Sequence, residues 1–508
     1  MNSMKIFNVE QIRRLDAYSI ANEPVLSIEL MERASLSFVK WFTTYFDSKN
    51  PIRILVGLGN NGGDGLAIAR LLANEDYSVE VYIIWHSNTT SDDFKVNYER
   101  LPQAVIKKDI RSIDEILSDK KELNDKNAIL IDALLGSGLT REPEGLLADA
   151  IQYLNQSGLR IVSVDIASGL YADKITNHKT VVNPDYTIAF QIPKLAFLLP
   201  ENSARVGEWK IVDIGLSSQF ISEEKTNQYY IDANLIKSIY KKRKKFSHKG
   251  SFGRALLVAG SYGKMGAAVL AANGCLRAGI GLLTMQVPKC GVDILQTSVP
   301  EAMVVSGKSK KTIEALEWDS LQPDTIGIGP GIGKAPKALA CLRNILQNTK
   351  TAMVIDADAI NLLSENNELL SIVPPNSILT PHIKEFERLA GKAEDDFIRL
   401  NLLQKMAVDR KLYIVLKGAF TAMATPTGDL FFNSTGNPGM ATGGSGDVLT
   451  GILTSLLAQG YLPLDACLLG VYLHGLAGDL AAKDMSEESL LPSDLISYLG
   501  KSFLLISR

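Results

Sequence analysis

The sequence has few cysteines, little net charge and no long apolar run, and each shortage excludes a class of protein. It has four cysteines among 508 residues, widely spaced and without a C-x-x-C pair, so we expect neither a disulfide framework nor a zinc site, and a reducing cytoplasm fits. The net charge of −3 provides no positive field for nucleic acid. No apolar run reaches the roughly 18 residues of a membrane span, and the N-terminal segment lacks the apolar core of a secretory signal.

Strand-like and helical runs alternate in both halves of the chain, which predicts two α/β domains. Two helices are predicted within residues 8–46. The strands predicted in the first half are Ile52–Gly57, Val79–Trp85, Ala128–Leu134, Arg160–Asp165, Tyr186–Gln191 and Glu208–Ile214. We therefore expect a doubly wound parallel sheet in a first domain, residues 1–215, a linker over residues 216–230 and a second domain, residues 231–508.

The second predicted domain begins with the strand RALLVAG at residues 254–260. Its segment LYIVLKGAFTAMATPTGDLFF is predicted to hold two strands joined by a turn at Pro426–Gly428. Helices over Gly446–Leu457 and Leu464–Lys483 are predicted to close the chain. The polar stretch before this domain carries the basic run Lys241–Lys245, which is either a solvated link or a basic rim that attracts a phosphorylated ligand.

Three polar loops follow predicted strands of the first half, where an open α/β sheet binds its ligands. They are GLGNNGGDG (57–65), IDALLGSGLTRE (131–142) after the third strand, and VDIASGL (164–170) after the fourth. Gly57, Gly59 and Gly62 form the G-x-G-x-x-G fingerprint of dinucleotide binding. That fold also needs an acid at the end of the second strand, but Glu80 lies at its start. An ordinary cofactor domain is therefore not favoured.

The polar side chains of these loops have two explanations each. Asn61, Asp132 and Ser168 come from three strand ends and offer oxygen ligands to a hard cation, or they cap helices and close turns. Asp165 follows the apolar run RIVSV, where a carboxylate suits general acid–base chemistry or caps a helix.

GNNGGDG, DALLGSGL and VDIASGL together resemble the YjeF N-terminal domain, the epimerase of hydrated NAD(P)H, over about residues 8–215. The resemblance implies potassium on Asn61, Asp132 and Ser168, and an acid–base role for Asp165. It also implies contacts to the hydrated nucleotide from Asn60, Asn61, Gly62, Gly63, Asp64, Gly136, Ser137, Gly138, Leu139, Thr140, Arg141, Glu142 and Asp165.

The segment NPGMATGGSGDVLTGIL (437–453) is the densest signal of the second half. Gly443, Gly444 and Gly446 allow backbone N–H groups to converge at a predicted helix N-terminus, which is an anion site. Asp447, in the first turn, is either an acid favoured by the helix dipole or the base that deprotonates a hydroxyl attacking a phosphoryl group.

The G-G-S-G-D element resembles the ribokinase-like superfamily. With AGSYGKMGAA, IGPGIG, DADAINLL, TPHIKEFERL and LKGAFT in this order, the chain resembles the ADP- or ATP-dependent NAD(P)H-hydrate dehydratase over about residues 231–508. The resemblance implies hydrate contacts from Ala267, Gly331, His382 and Asp447. It implies nucleotide contacts from Lys417, Gly418, Ala419, Phe420, Thr421 and Gly446.

Four further residues of the second half keep two explanations. Asp356 and Asp358 serve the site or cap the following helix. Glu385 orients magnesium through water or pairs with Arg388 on its helix. Lys264 lies near enough to a glycine-rich turn to reach a phosphate, although its sequence context does not require it.

The resemblances imply a fused repair enzyme for NAD(P)H that carries a hydroxyl at C6 of its nicotinamide ring. The first domain would interconvert the R and S forms, and the second would dehydrate the S form with a nucleotide, ADP in preference to ATP. Potassium, magnesium and the nucleotide are the expected cofactors, small molecules are the expected ligands, and a homo-oligomer is expected. The alternative is a small-molecule kinase of the ribokinase-like type fused to a non-catalytic ligand-binding domain.

Overall fold

The structure is a computed structural model that describes residues 4–23, 25–117, 126–315 and 322–507. The chain divides into two compact units, Lys5–Thr226 and Asn227–Arg508 with Met1–Met4. The change of unit falls within residues 216–230, the predicted linker. That segment supplies a helix, Ser218–Glu223, before the boundary and a strand, Gln228–Tyr230, after it.

The first unit is built on a parallel sheet flanked by helices. The first strand of the chain, β1 (Met4–Lys5), is not part of this sheet. The strands of the sheet are β2 (Ile52–Val56), β3 (Val79–Ile84), β4 (Ile106–Ile110), β5 (Ile129–Ala133), β6 (Arg160–Val164), β7 (Tyr186–Phe190) and β8 (Glu208–Val212). The helices are α1 (Val9–Asn22), α2 (Ser27–Tyr45), α3 (Asn60–Asn74), α4 (Asp92–Glu99), α5 (Ile113–Leu117), α6 (Leu146–Gln156) and α7 (Ser218–Glu223).

The order of strands in this sheet is β4-β3-β2-β5-β6-β7-β8, and every neighbouring pair is parallel. The chain runs outward from β2 to one edge and then from β5 to the other. The switch point therefore lies between β2 and β5, where ligands bind in doubly wound sheets. Apolar clusters cover both faces, one built around Phe38 and Phe42 and the other around Leu55 and Leu154.

The sequence analysis missed β4, so its strand count was wrong beyond the second strand. IDALL follows the fourth strand of the sheet, β5, and VDIAS follows the fifth, β6. The missed strand reads IKKDI, lies at the edge of the sheet and is buried only at Ile110. Charged residues on an edge strand are a common protection against edge-to-edge pairing, and here they hide the apolar pattern.

The second unit carries a mixed sheet. Its strands are β9 (Gln228–Tyr230), β10 (Arg254–Val258), β11 (Leu282–Val287), β12 (Met303–Ser306), β13 (Thr325–Ile328), β14 (Val354–Ile355), β15 (Ile378–Leu379), β16 (Tyr413–Leu416), β17 (Ala422–Ala424) and β18 (Leu430–Phe432). Its helices are α8 (Ala233–Ile239), α9 (Met265–Arg277), α10 (Val292–Ser298), α11 (Pro336–Asn348), α12 (Ala357–Glu365), α13 (Asn367–Leu370), α14 (Ile383–Ala390), α15 (Asp396–Arg410), α16 (Ser445–Ala458), α17 (Pro463–Asp484) and α18 (Pro492–Ile506).

These strands lie in the order β9-β18-β17-β16-β15-β14-β13-β10-β11-β12. Pairing is parallel from β16 to β12 and antiparallel through β16, β17 and β18. The predicted pair of strands before residue 433 is therefore three strands, because the chain also turns at residues 417–421. The chain crosses from β12 back to β13, so the switch point of this sheet lies between β10 and β13.

Two features of the helices matter for the second unit. Gly451 of α16 faces α9 so closely that a Cβ there would lie 2.0 Å from the carbonyl oxygen of Ala271, so the two helices pack with backbones in contact. Among the described residues, one helix, α17, is long and apolar enough to cross a membrane, but 72% of its apolar window is buried inside the protein. Burial of that extent is typical of a core helix.

Candidate active sites

A cavity of about 660 Å³ lies at the switch point of the first unit. The loop after β2, the loop after β5, α1 and α2 form most of its wall. It collects most of the residues predicted for the hydrated nucleotide. Those lining it are Asn60, Asn61, Asp64, Gly136, Ser137, Gly138, Leu139, Thr140, Arg141 and Asp165.

The remaining predicted residues of this group lie outside the cavity lining. Gly62 and Gly63 form the first turn of α3, and a Cβ on Gly62 would lie 1.9 Å from the carbonyl oxygen of Gly57. These glycines therefore permit the tight turn that aims the N-terminus of α3 at the cavity. Glu142 accepts a hydrogen bond from the Thr180 hydroxyl at 3.0 Å and stands at the end of the loop.

Asp165 sits at the tip of β6 in a left-handed conformation, with φ of 66°. Its Oδ1 atom accepts a hydrogen bond from the Phe190 N–H at 3.0 Å and pairs with the ammonium of Lys194, a residue that is only 1% exposed. The Oδ2 atom of Asp165 has no hydrogen-bond partner among the described residues. Asp165 therefore presents one free oxygen to the cavity and does not cap a helix.

Asp16 and Lys194 are cavity residues that the sequence analysis did not identify as functional. Asp16 belongs to α1, and burial, then the charge of Asp165, raise its pKa to about 6. The spacing Ile12, Asp16, Ile20 was a usable signal, because it puts an acid on the apolar stripe of a helix. Lys194 was equally visible as a lone cation in the apolar run IPKLAFLL.

Asp64 adds a third carboxyl group to this cavity. Burial, followed by the charges of Asp165, Asp16 and Asp93, raises its pKa well above the ordinary value. The site therefore concentrates carboxyl groups around one buried ammonium. Perturbed carboxyl groups that share a cleft are typical of catalytic centres.

Asp132 and Ser168 bond each other, Asn61 lines this cavity, and all three residues are buried. Asp132 is 0% exposed and accepts hydrogen bonds from the Ser168 hydroxyl at 2.6 Å and from the Ser163 hydroxyl at 2.8 Å. Burial raises its pKa, and the hydrogen bonds from Ser168 oppose that rise. No cationic side chain pairs with Asp132 within the part of the chain that the structure describes.

Asn61 completes this group of oxygens. Its Nδ2 donates to the Val164 carbonyl at 2.9 Å, whereas its Oδ1 is buried without a hydrogen-bond partner. A buried amide oxygen without a donor is costly, and so is a buried carboxylate without a cation, and a bound cation would relieve both costs. The residues present therefore fit a hard monovalent cation.

A second cavity, of about 470 Å³, lies at the switch point of the second unit. The loops after β10 and β13 and the N-terminus of α16 form its wall. Three of the four residues predicted to contact the hydrate line it: Ala267, Gly331 and Asp447. Gly443 and Gly444 line it as well, and Gly444 takes φ of 103°, a left-handed conformation that favours glycine.

Asp447 lies in the first turn of α16 and faces this cavity. Burial raises its pKa to about 7, the charges of Asp356 and Asp358 add to the rise, and Lys417 opposes it. A carboxyl group with this pKa is poised to accept a proton near neutral pH. The converging N–H groups of the helix N-terminus lie beside it.

Lys417 is held at this helix N-terminus by Asp356. Its Nζ lies 2.9 Å from Asp356 Oδ1, and the Thr450 hydroxyl donates to Oδ2 at 2.6 Å. A Cβ on Gly446 would lie 3.3 Å from the Lys417 Nζ. Asp356 therefore positions a cation and does not cap α12, although it occupies the N-cap position of that helix.

The other predicted nucleotide contacts, Gly418, Ala419, Phe420 and Thr421, form the turn between β16 and β17. This turn lies outside the cavity lining. The Thr421 hydroxyl donates to the Gly418 carbonyl at 3.1 Å, which closes the turn behind Lys417.

His382 does not line the cavity; it caps α14. Its Nδ1 accepts from the Lys384 N–H at 3.1 Å, and Glu385 accepts in return from the His382 N–H at 2.9 Å. Glu385 lines the cavity and does not pair with Arg388, which bonds the side chain of Asn361 instead.

Asp358 and Lys264 line the same cavity and pair at 3.3 Å, and the Gly333 N–H donates to Asp358 at 2.8 Å. Three carboxyl groups, on Asp358, Glu385 and Asp447, thus face the cavity. Within the described ranges, no three His, Cys, Asp or Glu side chains form a metal-binding cluster by themselves.

Comparisons with known families divide the chain as the two units do. The family described as YjeF-related protein N-terminus matches residues 27–196. The family described as NAD(P)H-hydrate dehydratase matches residues 255–501.

Relatives match over nearly the whole chain. The bifunctional NAD(P)H-hydrate repair enzyme of Moorella thermoacetica is 34% identical over 98% of this chain and 96% of its own. The enzyme of the same name from Escherichia coli is 33% identical over 93% of this chain and 89% of its own. Among solved structures, the ADP/ATP-dependent NAD(P)H-hydrate dehydratase of Bacillus subtilis, crystallised with ATP/Mg²⁺, is 30% identical. It covers 54% of this chain and 97% of that chain, with a TM-score of 0.48.

The two family matches cover the two halves of the chain, and the relatives cover nearly all of it. The chain belongs to the family of bifunctional NAD(P)H-hydrate repair enzymes.

Proposed function

We propose that this chain restores hydrated NADH and NADPH in two steps. The first unit interconverts the R and S epimers at C6 of the nicotinamide ring. The second unit dehydrates the S epimer at the expense of a nucleotide. The observation that carries this proposal is the pair of switch-point cavities, one with Asp165 and one with Asp447 at the end of a glycine-rich helix N-terminus.

In the first unit, Asp165 acts as the acid–base residue at C6. Its Oδ1 is fixed by Lys194 and the Phe190 N–H, so Oδ2 is the atom that exchanges a proton with the substrate. The N-terminus of α3, with Asn60 and Asn61, receives the negatively charged pyrophosphate. The loop 136–142 forms the other side of the nucleotide site.

Potassium would be held by the Asn61 Oδ1, the Asp132 carboxylate and the Ser168 hydroxyl. When bound, it supplies positive charge behind the loop that contacts the ligand. The support is the unpartnered Asn61 Oδ1 and the unpaired Asp132. These side chains also link the three loops to one another, through the bond from Asn61 to the Val164 carbonyl and the bond from Ser168 to Asp132.

In the second unit, Asp447 removes the proton of the C6 hydroxyl as that oxygen attacks the terminal phosphoryl group of the nucleotide. Gly443, Gly444 and Gly446 direct backbone N–H groups at the phosphoryl oxygens, and Lys417 adds a positive charge beside them. Phosphate then departs from C6 with the C–O electron pair, a proton leaves C5, and the C5=C6 double bond of the dihydronicotinamide forms. Hydroxide is a poor leaving group and phosphate a good one, which is why a nucleotide is consumed.

ADP is the proposed donor, so that AMP and phosphate are the by-products. Asp358 and Glu385 would hold a magnesium ion that arrives with the nucleotide, where the ion would neutralise phosphate charge; magnesium commonly uses one or two carboxylates together with substrate phosphates. The contacts to the nucleotide are Lys417, Gly418, Ala419, Phe420, Thr421 and Gly446. The hydrate contacts are Ala267, Gly331, His382 and Asp447.

The chain is further proposed to act in the cytoplasm as a homo-oligomer. All four cysteines are free thiols, as a reducing compartment permits. Light scattering of the purified protein measures the oligomeric state directly.

The two activities are tested separately in the full chain. Epimerisation is followed as conversion of purified R epimer to S without nucleotide, and dehydration is followed as the return of dihydronicotinamide absorbance from S epimer with ADP. Asp165→Asn is expected to abolish the first and spare the second, and Asp447→Asn the reverse. A stable phosphorylated product with no return of absorbance would instead support a small-molecule kinase.

A further inference from the structure

The cavity of the first unit holds a carboxyl group that the proposed role of Asp165 leaves unused. Asp16 lines this cavity from α1, and its carboxyl group makes no hydrogen bond or ion pair with any described residue. Most helix carboxylates that lack a partner point to water, whereas this one points into the ligand cavity. Its electrostatic surroundings include Asp165 and Lys194.

Asp165 offers a single free oxygen atom, Oδ2, to the epimerisation chemistry. Lys194 and the Phe190 N–H both occupy Oδ1, so a proton taken from the substrate stays on Oδ2 until it is returned. The hydroxylated C6 is bonded to ring nitrogen N1, and inversion at C6 by ring opening needs a proton on each of the two atoms in turn. With Oδ2 alone, the same proton would have to be carried from the oxygen to N1, whereas a second proton-transfer group allows both transfers to occur together.

We propose that Asp16 is this second catalytic residue, the acid that protonates N1 while Asp165 deprotonates the C6 hydroxyl. This inference rests on the proposed epimerase function of the first unit. The two carboxyl groups enter the reaction in opposite protonation states, as pairs of catalytic carboxyl groups commonly do.

Atoms and electrons balance through the cycle. Asp165 Oδ2 takes the hydroxyl proton, the oxygen electron pair forms C6=O, the C6–N1 bond breaks, and its electron pair passes to N1, which takes the proton of Asp16. Rotation about C5–C6 presents the other face of the aldehyde. N1 then attacks C6, Asp16 recovers the N1 proton, and Asp165 returns its proton to the oxygen. No atom is lost, and both carboxyl groups regain their starting states.

The surroundings of Asp16 make its protonated form more accessible than that of an ordinary aspartate. Burial, followed by the charge of Asp165, raises its pKa to about 6, while Lys194 opposes the rise. The ammonium of Lys194 forms an ion pair with Asp165 and not with Asp16. The other ionisable groups of the cavity lining are Arg13 of the same helix, Asp64, His86, Asp93 and Arg141.

The test is the isosteric variant Asp16→Asn in the full chain, with the R-to-S conversion measured at saturating substrate and no nucleotide. We expect kcat to fall by about 100- to 10,000-fold, the usual contribution of general acid–base catalysis, with KM changed less than about threefold. Asp16→Glu, which restores a carboxyl group, should recover at least about tenfold of the loss.

The pH profile separates proton transfer from a structural role. Because Asp16 must be protonated, wild-type kcat/KM should fall as pH rises through about 6, and Asp16→Asn should lack that fall. The matched control is Glu10→Gln, an exposed acid of the same helix, which should keep wild-type rates. Dehydration of the S epimer with ADP, performed by the second unit, should be unchanged in every variant.

The proposal is overturned if Asp16→Asn keeps the wild-type kcat and high-pH fall, or if its loss lies wholly in KM. It is equally overturned if Asp16→Glu is as slow as Asp16→Asn. A different failure, wild-type protein that does not interconvert the epimers at all, would remove the proposed epimerase function itself.

Discussion

Replacing Asp447 by asparagine removes the proposed base of dehydration while keeping the size and polarity of the side chain. General acid–base catalysis contributes about 100- to 10,000-fold to a rate, which is about 2.7 to 5.4 kcal/mol of transition-state stabilisation. We therefore expect kcat/KM for dehydration of the S epimer to fall by that factor. Epimerisation in the same preparation should continue at the wild-type rate.

The pH dependence sharpens this expectation. The pKa of Asp447 is about 7, raised first by burial and then by Asp356, and the base must be ionised. Its ionised fraction rises from about 9% at pH 6 to about 91% at pH 8, so wild-type dehydration should rise about tenfold over that range. Asp447→Asn should be flat.

Stability measurements show whether the loss of activity reflects unfolding. The pKa of Asp447 is about 7 in the folded state and 3.8 in the unfolded state. Ionisation of Asp447 therefore lowers the free energy of unfolding as pH rises above 3.8, and this loss is complete above about pH 7. At pH 8, Asp447→Asn should thus unfold at the same temperature as wild type or a higher one, and its free energy of unfolding should be larger by up to about 4 kcal/mol. Dehydration that stays within a few-fold of wild type, or retains the rise with pH, would refute the assignment of Asp447.

Four further outcomes follow from the structure. Asn61→Leu removes the orphaned Oδ1, so the stimulation of epimerisation by potassium chloride over tetramethylammonium chloride should disappear; undiminished stimulation would contradict the cation site. Lys417→Met should raise the KM for ADP by about tenfold or more, since a phosphate contact that is charge-assisted is lost, and an unchanged KM would exclude that contact. Burial lowers the pKa of His474 to about 4, below its unfolded value. The neutral imidazole therefore stabilises the fold above about pH 6.5, and the free energy of unfolding should fall by about 2 kcal/mol between pH 7.5 and pH 5. Urea titrations should show this pH dependence in wild type and not in His474→Asn. Gly451→Ala would place a Cβ 2.0 Å from the α9 backbone and should cost about 1–3 kcal/mol of unfolding free energy, whereas an unchanged melting temperature would show that α9 and α16 pack less closely.

The sequence predicted the fold class because the central strands of both sheets are parallel and buried, and such strands appear as continuous apolar runs. The strands β2, β3, β5, β6 and β7 are of this kind. It failed at β4, where charged residues on an edge strand obscure the pattern. It also failed to separate β16 from β17, because the short turn at residues 417–421 contains no proline and no obvious break.

The candidate sites were predictable where they lie next to a recognisable motif, as with Asp165 at the tip of β6 and Asp447 in the glycine-rich start of α16. Asp16 and Lys194 were not identified, because one lies on a helix and the other follows β7 in an apolar segment. Their position in an apolar context was visible in the sequence, but their relation to Asp165 is set by the fold. Sequence alone also left the role of Asp356 open between a helix cap and a functional contact, and its pairing with Lys417 and Thr450 is a long-range interaction.

The most direct test of the whole account is the repair of a mixture of R and S hydrate epimers by the full chain, supplied with ADP or ATP in turn. We predict complete return of the dihydronicotinamide absorbance, with release of one phosphate per cofactor restored, and faster with ADP. A reaction that stops at the S fraction of the mixture, or that accumulates a phosphorylated cofactor without absorbance, would contradict it.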